Sequence, residues 1–529
     1  MFRGTILSLV IADILPLLQA QEFWGNRHAV VEGVSHDSRS VRPKFAFVAI
    51  VGDKADGHDF VLKAVEKGAS VIVAQKKPPE NFDGKIAWIK VRDSRKVMGP
   101  LAASVYGKPS DSIVLIGITG TNGKTTTTFL LEAILKQANF VPGVIGTISH
   151  RWPGVEIAAS NTTPEASDIQ KMLSDMCQAG VTHVIMEVSS HGLVMRRLDG
   201  CNFDAAIFSN LTHDHLDFHK NMEDYYAAKK ILFEELLPES SKQNPFAAIN
   251  MDDFYGRRLA KEVSSITTIN YGLTNEPDVY PVRTNMSRRG INATIKTPFD
   301  FLEIESNLVG VFNLSNILAA LSVSLELGIP KEAILEGVKS VNSVPGRLER
   351  VNTRVGAIFV DYAHTPNALK NVLAAMRKIC DGNLTIVMGC GGDRDKMKRP
   401  IMGVEAATGS DFVVITSDNP RSEDPMAIIR QIEQGVLDSG FTKVSMGSAQ
   451  TTIAKGYVVI PDRREAIRWA ISKLGPLDVM LIAGKGHETY QEIQGIRHPF
   501  DDRVIALEES ENLLSKIQYK NPAIGGVEI

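Results

Sequence analysis

Three features of the 529-residue sequence predict an α/β chain of three domains. A phosphate-loop signature lies between an apolar strand and a helical pattern. Two breaks, Tyr106-Gly107-Lys108-Pro109-Ser110 and Ser343-Val344-Pro345-Gly346-Arg347, divide the chain into segments 1–107, 108–344 and 345–529. In the last segment, four apolar strands each run into a polar cluster. The expected architecture is a central P-loop nucleotide-binding parallel sheet, flanked by a small N-terminal α/β domain and a C-terminal Rossmann-like α/β domain.

The first segment opens on an apolar stretch, 1–21, that carries Arg3 and is interrupted by Asp13 and Pro16. Its longest uncharged run, 4–12, is too short for a bilayer core of roughly 30 Å, and no small-x-small cleavage site precedes Gln21. It reads as the first helix of a domain. A short strand at 46–50, a helix at 61–67 and a strand at 70–74 follow.

The second segment begins with Ile113-Val114-Leu115-Ile116-Gly117-Ile118, which stops in Thr119-Gly120-Thr121-Asn122-Gly123-Lys124-Thr125-Thr126 before the helical pattern Phe129, Leu130, Ile134, Leu135. Backbone N–H groups of such a turn and of the helix N-terminus face a polyphosphate. Lys124 reaches its terminal groups and a Thr hydroxyl joins a Mg²⁺ shell. The plain alternative, an ordinary Gly-rich turn, does not account for Gly-Lys-Thr at a strand–helix junction. Two residues separate Gly120 and Gly123 where the usual loop has four, so a distinct subclass of phosphate loop is expected, binding ATP or GTP. Downstream, 183–191 reads as a strand carrying the acid Glu187 at its end, and strand 205–208 runs into Ser209-Asn210-Leu211-Thr212-His213-Asp214-His215-Leu216-Asp217-Phe218-His219. Mg²⁺ beside phosphates needs hard ligands; Glu187 is a natural one and His215 a less usual one. The histidine spacing does not suit zinc.

In the third segment, strand 357–360 ends in Asp361-Tyr362-Ala363-His364 and strand 384–388 in the cluster 389–394. Strand 412–415 ends in 416–421 and strand 478–482 in 483–488. Runs of this length separated by helical segments are buried parallel strands, whose carboxyl ends are where open α/β sheets bind ligands. One such cluster is a cap or a turn; four together make a site.

Composition narrows the classes. With 22% charged and 44% hydrophobic residues and a net charge of −3, the chain has the profile of a soluble enzyme without the basic footprint of a nucleic-acid binder. Four scattered cysteines give neither a zinc knuckle nor a disulfide framework, which fits a reducing cytoplasm. No membrane insertion is expected, and a monomer is.

These motifs carry a family resemblance. Thr119 to Thr125, Glu187-Val188-Ser189-Ser190-His191-Gly192-Leu193, Asn210-Leu211-x-x-Asp214-His215-Leu216-Asp217, Phe312-Asn313-x-x-Asn316, Gly346-Arg347-Leu348-Glu349 and Asp361-Tyr362-Ala363-His364-Thr365-Pro366 resemble the Mur ligases, which add amino acids to the peptidoglycan precursor. Asn161-Thr162-Thr163-Pro164, Gly389 to Arg394, Asp418-Asn419-Pro420-Arg421 and Gly484-Lys485-Gly486-His487-Glu488 resemble the branch that attaches meso-diaminopimelate to UDP-MurNAc-L-Ala-D-Glu.

The resemblance implies a UDP-binding first domain, an ATP-binding second and an amino-acid-binding third. ATP phosphorylates the D-Glu γ-carboxylate, and the amine of the incoming amino acid attacks the acyl phosphate. It implies ATP contacts at Gly120, Thr121, Asn122, Gly123, Lys124, Thr125, Thr126, Asn316, Arg347 and Asp361. Thr125, Glu187 and His215 would serve Mg²⁺. Ser38, Asn161, Thr162, Thr163, Ser189 and Arg197 would hold the UDP-MurNAc dipeptide. Arg394, Asp418, Asn419, Pro420, Arg421, Gly484 and Glu488 would hold meso-diaminopimelate. Lys124, Lys229, Glu187 and His215 would carry the catalysis. From the residues alone, Lys229 and Lys230 read as a solvated helix face; the resemblance selects Lys229 and implies its carbamate as a metal ligand. Asp53-Lys54 and Met195 depart from the family's pattern, where His-Gln and Gln are common. The same reaction with L-lysine, a folylpolyglutamate synthase-like ligase and a non-enzymatic nucleotide-gated binding protein stand as alternatives.

Overall fold

The computed structural model describes residues 9–52, 55–215, 218–287, 289–445 and 455–520. Asp53, Lys54, Leu216 and Asp217 therefore lie outside the described residues. Three α/β sheets in chain order give the three-domain fold.

The first is five-stranded, ordered Glu22–Gly25, Ala87–Lys90, Val71–Ala74, Phe45–Val48, Gly33–Ser35, and parallel except for the first strand. The start of the chain departs from expectation. In place of one helix, Leu9–Val10 pairs with Val30–Val31, and a four-residue helix, Ile11–Ile14, passes into the 3₁₀ turn Leu15–Leu18. Pro16 sits in the first turn of that segment, where it has no N–H to extend the helix. Ile11, Ile14 and Leu18 still reach the domain's core.

The central sheet has eight strands, in the order Val155–Ala158, Ser149–Trp152, Pro142–Ile145, His183–Glu187, Val114–Thr119, Ala205–Phe208, Phe246–Asn250, Thr267–Tyr271. The last six pair parallel, and their interior strands are apolar and buried on both faces, covered by helices such as Lys124–Gln137 and Val311–Glu326. The chain leaves Val114–Thr119 to one side and later returns on the other. The phosphate loop thus opens at a topological switch point, where such sheets bind ligands. An antiparallel three-stranded sheet, Tyr280–Ser287, Gly290–Lys296 and Phe301–Ser306, was not anticipated from the sequence. Its last strand alternates exposed Phe301, Glu303 and Glu305 with buried Leu302, Ile304 and Ser306, so the sheet lays one face on the central core.

The third sheet runs Glu349–Val351, Ala357–Asp361, Val479–Ala483, Leu384–Met388, Phe412–Ile415, Gly456–Val459, Thr442–Lys443, antiparallel only at its first strand. All four strands expected here form and pair parallel, so their polar clusters share one edge. Among the described residues, no helix is long and apolar enough to cross a membrane.

Candidate active site

Strand Val114–Thr119 delivers the loop 120–123 to the N-terminus of helix Lys124–Gln137. Gly123 has φ +90°, and a Cβ there would collide with Asn316 Oδ1. Glycine thus lets the loop turn and lets Asn316, from helix Val311–Glu326, press against it. Asn210 braces the other side, accepting from the Asn122 N–H at 2.9 Å and donating to its carbonyl at 3.0 Å. Lys124 Nζ curls back onto the loop, donating to the Gly120 and Thr121 carbonyls at 2.8 and 3.0 Å. Burial pulls its pKa below the usual lysine range, with Glu187 opposing that shift.

Glu187, at the end of the neighbouring strand, accepts from the Thr125 hydroxyl at 3.1 Å and from the Thr147 hydroxyl at 2.7 Å. Two hard oxygens therefore sit together at the phosphate-loop helix, a donor set that suits Mg²⁺ beside a polyphosphate. His215 lines the same cleft. Burial pushes its pKa to about 4, with Asp214 opposing, so the imidazole is neutral at pH 7 and keeps a lone pair for a metal. Among the described residues, no cluster of three His, Cys, Asp or Glu side chains could hold a metal without other donors. The Thr125 hydroxyl beside Glu187 is such a donor.

Lys229 projects from helix Met222–Ile231 into the space beneath the loop. It is 1% exposed and donates to the Gly120 carbonyl at 2.9 Å, with its ammonium 4.8 Å from the Tyr225 ring centroid. Burial drives its pKa well below the ordinary lysine value, aided by the nearby Lys124 charge. Lys230, by contrast, reaches outward to Glu234 and Glu262. The structure separates the two lysines that the sequence could not.

The cleft, about 310 Å³, is shared between domains. Its central-domain wall holds residues 121–126, Glu187, His215 and Asn316; its third-domain wall holds Arg347, Asp361, Tyr362 and His364. Arg347 lies over the Tyr362 ring, 4.9 Å from its centroid. The Asp361 carboxylate is engaged by the backbone N–H groups of Leu348 and Ala363, both at 2.7 Å, so it shapes this corner of the cleft.

Thr162, Thr163, Ser189 and Arg197 converge beside Glu187. Thr163 Oγ1 donates to the Glu187 carbonyl at 2.9 Å and accepts from Ser189 N–H at 3.0 Å, and Arg197 donates to the Thr163 carbonyl at 2.9 Å. Arg197 also reaches Glu165 at 2.7 Å and, more weakly, the Met195 sulfur at 3.5 Å. Thr147, which the sequence reading did not select, bridges Thr162 (3.1 Å) and Glu187. Asn161 is exposed near this group, while Ser38 is buried apart in the N-terminal domain.

The third-domain cluster is tied together across strand ends. Asn419 Oδ1 accepts from Lys485 Nζ at 3.0 Å and Glu492 N–H at 2.9 Å, and its Nδ2 donates to Glu488 Oε2 at 2.8 Å. A Cβ at Gly484 would strike the Asp418 carboxylate, so glycine permits that approach. Arg421, at φ +50°, donates to the Gly392 carbonyl at 2.6 Å, with Glu492 at 3.9 Å. A Cβ at Gly391 would lie 2.9 Å from Arg421 Nη1 and 3.9 Å from Arg394 Cγ, so both arginine side chains, from two different loops, lie against Gly391. Pro420 lies buried in the turn between Asn419 and Arg421. Tyr362 packs 5.2 Å from the His487 ring and so links this cluster to the nucleotide cleft. Lys485 is a second residue the sequence reading passed over; its place inside Gly484-Lys485-Gly486-His487-Glu488 was the available signal.

Residues 30–106 match "Mur ligase family, catalytic domain", 118–324 "Mur ligase middle domain" and 346–486 "Mur ligase, glutamate ligase domain". A Geobacter metallireducens protein named UDP-N-acetylmuramoyl-L-alanyl-D-glutamate–2,6-diaminopimelate ligase is 43% identical, the match covering 96% of this chain and 99% of the relative. A solved structure of a ligase with that name is 31% identical with a TM-score of 0.69, covering 96% of this chain and 99% of its own. A folylpolyglutamate synthase from Mycobacterium tuberculosis, at 17% identity and a TM-score of 0.57 over 80% and 94% of the two chains, shares the fold. With all three domains matched and 43% identity over nearly its whole length, the chain belongs to the Mur ligase family.

Proposed function

We propose that this protein is the ATP-dependent ligase that adds meso-diaminopimelate to the D-Glu γ-carboxylate of UDP-MurNAc-L-Ala-D-Glu, in peptidoglycan precursor synthesis. The observation that carries this reading is the pairing of a phosphate-loop cleft with the Asp418-to-Arg421 and Gly484-to-Glu488 cluster through the Tyr362–His487 contact. The named relatives agree with it.

The residues divide the work. The loop N–H groups and Lys124 hold the ATP phosphates, and Lys124 would exchange its carbonyl partners for the transferring phosphoryl group, offsetting its charge. Thr125, Glu187 and His215 would hold Mg²⁺, which when bound neutralises phosphate charge. Lys229, buried and therefore able to shed its proton, would attack CO₂ through its neutral amine, lose a proton and become an anionic carbamate ligand. Thr162, Thr163, Ser189 and Arg197 would hold the dipeptide arm beside Glu187, and Ser38 the uridine end. Arg421 and Arg394 would take the distal carboxylate of meso-diaminopimelate, with Asp418 and Glu488 taking its ammonium. Closure of the cleft between the second and third domains would keep water from the acyl phosphate. ATP and a UDP-linked substrate fit an activity in the cytoplasm, and the proposed working form is a monomer.

The test is ADP release with components omitted one at a time. Release should require both the UDP-MurNAc dipeptide and meso-diaminopimelate; release indifferent to the dipeptide would contradict the reading.

A further inference from the structure

Within the third-domain cluster lies a cation that the proposed chemistry does not use. Lys485 is 0% exposed, yet its ammonium stands among the groups assigned to the amino acid. It donates to Asn419 Oδ1 at 3.0 Å and to Glu488 Oε2 at 3.3 Å. Asn419 Nδ2 reaches the same Glu488 oxygen at 2.8 Å. Both contacts fall on Oε2, and among the described residues no hydrogen bond reaches Oε1.

Resting on the diaminopimelate reading, we propose that Lys485 is a positioning residue for amino-acid selection: it fixes Asn419 and Glu488 so that Glu488 Oε1 is presented to the substrate's distal ammonium. A buried lysine is costly unless its charge is paired and hydrogen-bonded, and here it is both. Without the Lys485 clamp, Glu488 would hang from one amide hydrogen bond and could rotate away. The floor beneath is rigid. Arg463, also fully buried, pairs with Asp502 at 2.7 and 2.8 Å and donates to the Ala483 carbonyl at 3.0 Å, one residue before Gly484.

The clamp also sets the charge of Glu488. Burial raises the Glu488 pKa and Asp418 raises it further, while Lys485 and Asn419 lower it. Arg463, Tyr362 and Tyr490 also interact with it electrostatically. Removing the Lys485 charge leaves the two raising influences less opposed. Glu488 then takes up a proton at higher pH and loses its hold on an ammonium.

The experiment is steady-state ADP release by the full-length enzyme carrying Lys485→Met. The Michaelis constant is measured for each of the three substrates, with meso-diaminopimelate titrated from pH 6 to 9. We expect KM for meso-diaminopimelate to rise tenfold or more, while KM for ATP and for the UDP-MurNAc dipeptide stays within twofold. The acid limb of kcat/KM for the amino acid should move to higher pH. Lys485→Gln, which keeps a donor but not the charge, should recover part of the affinity without restoring the acid limb; it decides the matter if the Met variant does not fold. An unchanged KM and pH profile in a folded variant would overturn the proposal. So would an equal loss toward all three substrates, which is what a merely structural role gives. Wild-type enzyme that does not turn over meso-diaminopimelate would defeat the parent reading, and this one with it, before any variant is compared.

Discussion

Two buried lysines in different domains are held by different partners, and the proposed uses of the two differ accordingly. Lys229 lies under the phosphate loop with a neutral carbonyl and an aromatic ring as its neighbours. Lys485 lies under the third-domain cluster with a carboxylate and an amide. Exposure is nearly the same, 1% and 0%. The partner decides the chemistry. Burial lowers the Lys229 pKa with no bonded anion to oppose it, the condition that the proposed carbamate needs, whereas the carboxylate and amide bonded to Lys485 let it organise its surroundings.

The largest effect expected on this contrast belongs to a third lysine, Lys124, which must carry charge toward phosphate. Lys124→Ala should lower ligation about a thousandfold or more while the fold persists, measured by ADP release alongside circular dichroism. Near-normal turnover in the folded variant would remove the phosphate-loop role. Lys229→Ala should come next. We expect near-inactivity, partly rescued by formate or acetate occupying the place of the missing carbamate. A fully active variant that ignores added carboxylate would break the contrast at its central-domain end.

Arg421→Ala sharpens the other end. Loss of a charge-assisted fork to the distal carboxylate should raise KM for meso-diaminopimelate on the order of a hundredfold and leave KM for ATP unchanged. A uniform fall in kcat would mean that Arg421 serves only the turn it occupies.

The smallest effect isolates burial from chemistry. His183 is buried against Phe140, with ring centroids 4.2 Å apart, and burial pushes its pKa down to about 4. Since the unfolded value is about 6.5, the folded state binds this proton less readily than the unfolded state. Its contribution to stability is fully present above about pH 6.5 and is lost as pH falls toward 4. Thermal unfolding should show wild type losing stability relative to His183→Phe as pH falls through that window; parallel curves would show that burial here does not shift the histidine.

How much was readable beforehand follows the same division. The phosphate loop is local: strand, turn and helix are contiguous, so residues 113–126 disclosed a site that the fold then places at the centre of the sheet. The parallel strands of the third domain were legible because each is a continuous apolar run, and their shared edge followed from that. Three things were not. Lys229 and Lys230 are adjacent, and only the helix's orientation tells which is buried. Thr147 and Lys485 act through neighbours 40 and 66 residues away, Glu187 and Asn419, and no spacing announces such pairs. The short strands Glu22–Gly25 and Ala87–Lys90 and the sheet at 280–306 carry weak local signals and are fixed by tertiary packing instead.

Amino-acid choice tests the account most directly. The measurement is kcat/KM for meso-diaminopimelate against L-lysine, with saturating ATP and UDP-MurNAc-L-Ala-D-Glu. L-lysine would bring an ammonium but no distal carboxylate, leaving Arg421 unpaired beside a like charge. The account predicts a preference for meso-diaminopimelate of a hundredfold or more. Equal use of L-lysine would contradict it, leaving the ligase and its phosphate-loop chemistry in place but removing the role assigned to Arg421.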